Sequence, residues 1–310
     1  MFINSLLSDK KKLAIIALIL ANLIWGAALP IYKWTLEIVP PFTFAFLRFF
    51  IASIIIFPFV YKKFKFSSRE IPLLVFSSII SITFQIPLLF FGLTLSPSIN
   101  APIIISSGPI ILIASSFIFF REKISKKLLL GTLISLSGVL VIILNPALKE
   151  GFGTDVLGNF FVFLATICGV IQALVFKKLL KNNSPLLLVF LIFVIGSITL
   201  IPETFIEFKN LGLFAINFQS LTGIAYAAIL SSVSGYFLYM YGLKHINVSE
   251  IGIFSYVDPI ATILIAVPLL NEVITQSYAI AAILVFLGIY VAENRVHYHP
   301  IHLLTKRYRL

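Results

Sequence analysis

The chain contains an internal repeat, in which residues 79–142 align without a gap on residues 229–292. The matches include residue types that an apolar sequence does not repeat by chance. They are Gly92, Pro109, Glu122 and Gly138 in the first copy, and Gly242, Pro259, Glu272 and Gly288 in the second. The repeat therefore predicts two related halves. Among membrane proteins, secondary transporters are often built from such halves, with the substrate at their interface.

The composition is that of a membrane protein, because 60% of the residues are hydrophobic and only 11% are charged. Soluble domains carry about 25% charged residues. Ten apolar runs are long enough to cross a hydrocarbon core of about 30 Å as helices. They are 13–32, 41–60, 71–95, 98–120, 128–145, 156–180, 185–202, 219–243, 247–270 and 274–292. The runs are continuous and not alternating, which favours helices over the strands of an outer-membrane barrel.

The net charge of +11 follows the membrane topology. With ten spans, every Lys and Arg falls on one side except Lys33, Lys149, Lys209 and the intramembrane Arg48. Positive charge marks the cytoplasmic side, so we expect a multi-pass protein of the cell membrane with both termini in the cytoplasm. This distribution argues against nucleic acid as a partner.

Five spans per half is an odd number, so the second half must enter the membrane from the opposite side. The loops agree, because the basic segment 121–127 aligns with segment 271–275, which has no basic residue. Lys33 and Lys177, near the ends of the first and sixth runs, are expected to reach opposite interfaces. The predicted fold is an all-α membrane protein of ten transmembrane helices, arranged as two inverted five-helix repeats around a central cavity.

The domain organisation follows from this topology. It comprises a cytoplasmic N-terminus (1–12), a first repeat (13–146), a second repeat (156–293) and a basic cytoplasmic tail (294–310).

Several short motifs carry a family resemblance. They are Trp25-Gly26 with Pro30, Leu47-Arg48-Phe49, Gly108-Pro109, Asp258-Pro259, and the glutamates Glu122 and Glu272. On these residues the chain resembles the EamA family of the drug/metabolite transporter superfamily over roughly residues 13–293. The resemblance implies two inverted EamA-like repeats around a cavity. The sixth run departs from the pattern, because it keeps Gly169 but has no counterpart of Trp25 or Pro30.

Asp258 and Arg48 are the candidate charged residues inside the membrane. Asp258 is expected near the midplane, where a carboxylate costs about 2.5–3.5 kcal/mol on insertion scales and should face partners or water. It is interpreted either as a site for a substrate ammonium or a proton, or as a structural carboxylate. Arg48 is expected at a similar depth, within about 5 Å along the membrane normal, and could pair with Asp258 as a structural bridge or a gate.

Aromatic and kinked positions complete the candidate site. Tyr236 and Tyr239 lie three residues apart in the eighth run, and Asn22 and Trp25 have the same spacing in the first. These four line a substrate site or simply pack between helices. The candidate hinges are Pro30, Pro109 and Pro259, which are also compatible with static kinks.

The sequence predicts no catalytic residues, no metal site and no cofactor. All four histidines lie in predicted cytoplasmic segments, and no phosphate-binding glycine loop or nucleophile elbow occurs. We therefore expect no enzyme, but a secondary transporter, an exporter of a small organic solute such as an amino acid or related metabolite. The solute gradient or protons would drive it. The alternatives are multidrug or organic-cation efflux, metabolite uptake, and more remotely an intramembrane enzyme or a structural membrane protein.

Overall fold

The computed structural model describes residues 2–63, 66–108, 110–111, 126–150, 153–246, 254 and 257–293. Within these ranges the regular secondary structure is entirely helical. Helices satisfy their backbone N–H and C=O groups internally, which is what a chain in lipid requires.

The helices are numbered in chain order. They are α1 (Phe2–Leu36), α2 (Pro41–Val60), α3 (Ser68–Leu95), α4 (Asn100–Ile105), α5 (Lys126–Glu150), α6 (Thr154–Leu179), α7 (Pro185–Leu211), α8 (Phe218–His245), α9 (Val257–Leu270) and α10 (Gln276–Glu293). Most follow the predicted apolar runs closely. α1 is longer than predicted, since it already begins in the segment assigned to the N-terminus.

Six helices in the described part of the chain are long and apolar enough to cross a membrane, namely α2, α3, α6, α7, α8 and the part of α1 from Lys10 onward. Three shorter apolar helical stretches accompany them, at Leu129–Asn145, Val257–Leu270 and Gln276–Val291. The helical membrane class is thus confirmed, and the count of ten spans stays a prediction. Pro109, Glu122 and the tail 294–310 lie outside the described residues.

Helix pairing in the bundle is symmetrical between the two halves. α2 packs on α7 and α5 packs on α10, so each of these helices meets its own counterpart. α1 packs against α8 and α9, and correspondingly α6 packs against α3 and α4. Exchanging the halves therefore leaves this pattern of contacts unchanged.

The contact between α5 and α10 shows the same symmetry at the level of single residues. A Cβ added to Gly138 would lie 2.8 Å from the carbonyl oxygen of Ala281, and one added to Gly288 would lie 2.5 Å from that of Gly131. Both helices need glycine for this close backbone approach. The two glycines are aligned in the sequence repeat, so the repeat conserves a packing contact.

A π-helical segment interrupts α3 at Ile79–Phe84 and α8 at Tyr226–Tyr236. The first segment aligns within the second in the repeat. π-Helical turns are rare and frequently occur at functional sites. Here each one lies beside the helix turns that face the centre of the bundle.

Candidate functional site

The centre of the bundle contains a cavity of about 220 Å³ between the two halves. Seven helices line it, α1, α2, α3, α4, α6, α8 and α9. The polar and aromatic lining residues are Asn22, Trp25, Tyr32, Arg48, Gln85, Thr166, Gln172, Tyr236, Tyr239 and Asp258. A mostly apolar cavity with a few polar groups is the usual form of a small-molecule site.

Arg48 projects from α2 into this cavity and is 2% exposed. Its Nε donates to Ser232 Oγ at 2.7 Å and its Nη2 donates to Ser231 Oγ at 3.1 Å. The guanidinium carbon lies 4.9 Å from the ring centroid of Tyr32 and 4.7 Å from that of Phe49, which are cation–π distances. Two hydroxyls and two rings thus fix the charge in place.

One nitrogen of Arg48 keeps its hydrogen-bonding capacity. Nη1 is buried and has no hydrogen-bond partner among the described residues. Burying a charged donor without a partner is costly. Arg48 therefore carries one buried donor that the described residues leave unsatisfied.

Asp258 lies in the first described turn of α9 and is 7% exposed. The crossing of α1 and α9 sets its position, because a Cβ on Gly26 would come 2.6 Å from the Asp258 carbonyl oxygen. The Thr262 hydroxyl joins the same crossing, 2.7 Å from the Gly26 carbonyl and 2.9 Å from that of Asp258. The side-chain Oδ1 is buried and, within the described residues, accepts no hydrogen bond.

Arg48 and Asp258 line the same cavity, as their predicted depths suggest. Within the described structure they make no ion pair, and Arg48 instead bonds to two serines of α8. Each of these two side chains therefore has one buried polar atom that the described residues leave without a hydrogen-bond partner. Whether Arg48 and Asp258 act together as a bridge or a gate stays a prediction.

Trp25, Tyr236 and Tyr239 form one aromatic cluster on the cavity wall. The Trp25 ring lies 5.3 Å from Tyr236 in a T-shaped arrangement and 5.1 Å from Tyr239 in a tilted one, between ring centroids. The Trp25 Nε1 donates to the Ser231 carbonyl at 3.0 Å. These contacts join α1 of the first half to α8 of the second.

The remaining predicted residues have simpler surroundings. Asn22 lines the cavity, and its Nδ2 donates to the Leu18 carbonyl of its own helix at 2.7 Å. Pro30 is an interior residue of α1, and Pro259 is buried near the start of α9. Whether either proline acts as a hinge stays a prediction.

The structure adds lining residues that the sequence argument did not select, among them Tyr32, Gln85 and Gln172. Tyr32 donates its hydroxyl proton to Ser231 Oγ. It follows Trp25 by seven residues, so the helical period that linked Asn22 and Trp25 also points to it. Gln85 Oε1 is buried and has no hydrogen-bond partner in the described part of the chain.

Relatives of this chain are named as transporters. It is 27% identical over 280 residues to an "Uncharacterized transporter" of Archaeoglobus fulgidus, covering 90% of this chain and 98% of the relative. It is 26% identical over 275 residues to "Uncharacterized transporter YyaM" of Bacillus subtilis, covering 87% of this chain and 90% of that one.

A solved structure described as "Crystal structure of protein" shares the fold. Its TM-score is 0.63 at 18% sequence identity, and the match covers 92% of this chain and 99% of the other. The model of the EamA-like transporter family matches residues 12–144 and again residues 156–293, which are the two halves of the repeat. The chain therefore belongs to the EamA-like transporter family and is a membrane transporter.

Proposed function

We propose that this protein is a secondary transporter that carries a small organic solute bearing both an ammonium and a carboxylate group, such as an amino acid or a related metabolite, across the cytoplasmic membrane. The observation that carries the proposal is a buried arginine and a buried aspartate in one cavity. Arg48 Nη1 and Asp258 Oδ1 each lack a hydrogen-bond partner among the described residues. A zwitterion supplies one partner to each.

The fixed geometry of Arg48 supports its assignment to the carboxylate group of the solute. Its contacts with Ser231 and Ser232 hold the guanidinium before any solute arrives. A preorganised donor loses less conformational entropy on binding. Asp258 is the corresponding partner for the ammonium group.

The cavity volume supports a small solute. About 220 Å³ accommodates a molecule of amino-acid size. Trp25 and Tyr239 offer apolar and aromatic surface for the rest of the solute.

The pairing of the helices supports transport by alternating access. A cavity between two exchangeable halves can open to either side by the movement of one half against the other. We propose accordingly that the protein has ten spans in two inverted repeats, with both termini in the cytoplasm. No ATP-binding motif is present in the sequence, so the solute gradient or protons would supply the energy.

The transport test uses purified protein in liposomes, with a panel of labelled amino acids, nucleosides and cationic drugs, with and without a pH gradient. The proposal expects uptake of one or more amino acids above protein-free liposomes. A panel in which only cationic compounds move would contradict it. Loading the solute inside or outside the vesicles then tests the predicted export direction.

The aromatic cluster that lines the same cavity as Asp258 favours one second candidate, an organic-cation exporter. Rings next to a carboxylate form a common site for an alkylammonium group. The Arg48→Met variant distinguishes the two functions. It should abolish transport of a zwitterion, which needs the guanidinium, and leave transport of a cation intact.

A further inference from the structure

Three segments meet at one end of the cavity. Lys33 directly follows the cavity residue Tyr32 in α1, Ser96 begins the turn between α3 and α4, and Glu272 follows α9. Lys33 Nζ lies 3.2 Å from Glu272 Oε1 and donates to the Ser96 carbonyl at 2.7 Å. This end of the bundle thus carries an ion pair whose lysine directly follows a cavity-lining residue in α1.

The carboxylate of Glu272 also binds the start of α4. It accepts from Ser98 N at 2.7 Å, from Ile99 N at 2.9 Å and from Ser98 Oγ at 3.0 Å. Backbone N–H groups at a helix start have no partner within the helix, and an anion satisfies them well. Lys33, Glu272 and Ser98 are called the clasp below.

The clasp joins the two halves of the repeat. Lys33 and Ser98 belong to the first half, whereas Glu272 belongs to the second. Its contacts form only when the halves approach each other at this end. The side chain of Lys33 is 25% exposed and that of Glu272 is 8% exposed, so the pair is partly shielded from water in this conformation. Separation of the halves would return both charges to water, which replaces the contacts that they lose.

The other end of the cavity repeats part of this arrangement. Lys177 lies near the end of α6, as Lys33 lies near the end of α1, and it donates to the Ile246 carbonyl at 2.7 Å. Ile246 aligns with Ser96 in the sequence repeat. Each end of the cavity therefore has a lysine bound to the same carbonyl position. The counterpart of Glu272 is Glu122, which lies outside the described residues.

We propose that the clasp of Lys33, Glu272 and Ser98 is the gate that closes the cavity at the end of α1, and that its opening exposes the cavity to that side of the membrane. This proposal rests on the proposed transport function. The role is distinct from that of Arg48 and Asp258, which face the solute. The distribution of Lys and Arg over the predicted loops predicts that the clasp lies on the outer side of the membrane.

The test measures access to the cavity and needs no solute. Thr166 lines the cavity and is small, so Thr166→Cys in a Cys168→Ser background provides a single reporter thiol. A membrane-impermeant maleimide is added to one side of oriented proteoliposomes at a time. Glu272→Gln and Lys33→Met each remove the ion pair, and Ser98→Ala removes only one hydrogen bond.

If the clasp is the gate, the reporter thiol should be labelled about five times faster in Glu272→Gln and Lys33→Met than in the parent protein. The increase is expected for reagent added on the side of the membrane where α1 ends. Ser98→Ala should give a smaller increase from the same side. Labelling from the opposite side should not accelerate. Because Ser98→Ala keeps the ion pair, it provides a readout even if the other two variants fold poorly.

Glu207→Gln is the matched control. Glu207 of α7 also accepts from the start of a helix in the other half, from Phe42 N at 3.0 Å and from Thr43 N at 2.7 Å. Unlike Glu272, Glu207 has no ion-pair partner in the described part of the chain, so labelling in this variant should equal that of the parent. Unchanged labelling in all three clasp variants, or equal acceleration from both sides, would overturn the gate. If labelling behaves as expected while the uptake panel is negative, the proposed substrate is wrong and the gate stands.

Discussion

Trp25 and Ser231 bind each other across the two halves, with the indole Nε1 3.0 Å from the serine carbonyl oxygen. Ser231 also accepts, through its Oγ, the hydroxyl of Tyr32 and the Nη2 of Arg48. One residue of the π-helical segment in α8 thereby positions three cavity residues from α1 and α2.

Trp25→Phe should separate the hydrogen bond of Trp25 from its ring. The variant keeps an aromatic ring against Tyr236 and Tyr239 but leaves the Ser231 carbonyl without its donor. The free energy of unfolding should fall by about 1 kcal/mol, and the solute concentration for half-maximal uptake should change little. Thermal unfolding in detergent and the concentration dependence of uptake measure the two effects.

The other tryptophan of the chain provides the control for this substitution. Trp34 does not line the cavity, so Trp34→Phe should leave uptake unchanged. If Trp25→Phe abolished uptake completely, the indole N–H would have a role in transport that the network does not explain.

Arg48→Lys should lose most uptake although it keeps the positive charge. The planar guanidinium of Arg48 bonds to Ser231 and Ser232 through two nitrogens while Nη1 remains for the solute. A lysine ammonium has a single nitrogen and cannot reproduce this arrangement. We expect a decrease of about tenfold or more in the uptake rate at low solute concentration. Retention of parental uptake by this variant would show that a point charge suffices.

Ser232→Ala tests the positioning of Arg48 more gently. It removes the 2.7 Å bond to Nε and leaves the arginine in place. Because a hydrogen bond to a charged group contributes about 1.5–3 kcal/mol, we expect weaker solute binding and lower thermal stability. Ser234→Ala is the control, since its exposed hydroxyl bonds to the Ile229 carbonyl of its own helix.

The sequence predicted the helical membrane class and many of the residues on the cavity wall for a common physical reason. A charge or a polar aromatic residue is costly in lipid, so Asp258, Arg48 and Trp25 had to face inward. Helical spacing then extended this inference to neighbours such as Asn22.

The partners of those residues could not be predicted in the same way. Counting residues along each helix placed Arg48 and Asp258 at similar depths in the membrane. It gave no information on the direction in which each side chain points within the membrane plane. The π-helical segment of α8 adds a residue to its turns and changes which side chains face inward. It brings Ser231 and Ser232 to Arg48, a pairing that no regular helical period indicates.

The topology provides an independent prediction. Tags inserted near residues 150 and 210 should be accessible from outside the cell, and tags near residues 65, 124 and 310 from inside. The reason is the concentration of Lys and Arg on one side of the ten predicted spans. Accessibility of an impermeant reagent in intact cells and in inverted vesicles measures this. Termini on opposite sides would contradict both the even number of spans and the inverted repeat.

Asp258→Asn tests the central charge, because it keeps the size and the hydrogen-bonding capacity of the side chain and removes its negative charge. If Asp258 binds the ammonium group of the solute, exchange of labelled solute across the membrane should fall by at least about tenfold. If Asp258 instead carries the coupling proton, exchange should persist while accumulation driven by a pH gradient is lost. Counterflow and gradient-driven uptake in the same proteoliposomes distinguish these outcomes.

A purely structural carboxylate would lower the protein yield, and the double variant Arg48→Met/Asp258→Leu would then recover both folding and transport. Since Arg48 is bonded to Ser231 and Ser232 and not to Asp258, we expect the double variant to remain inactive.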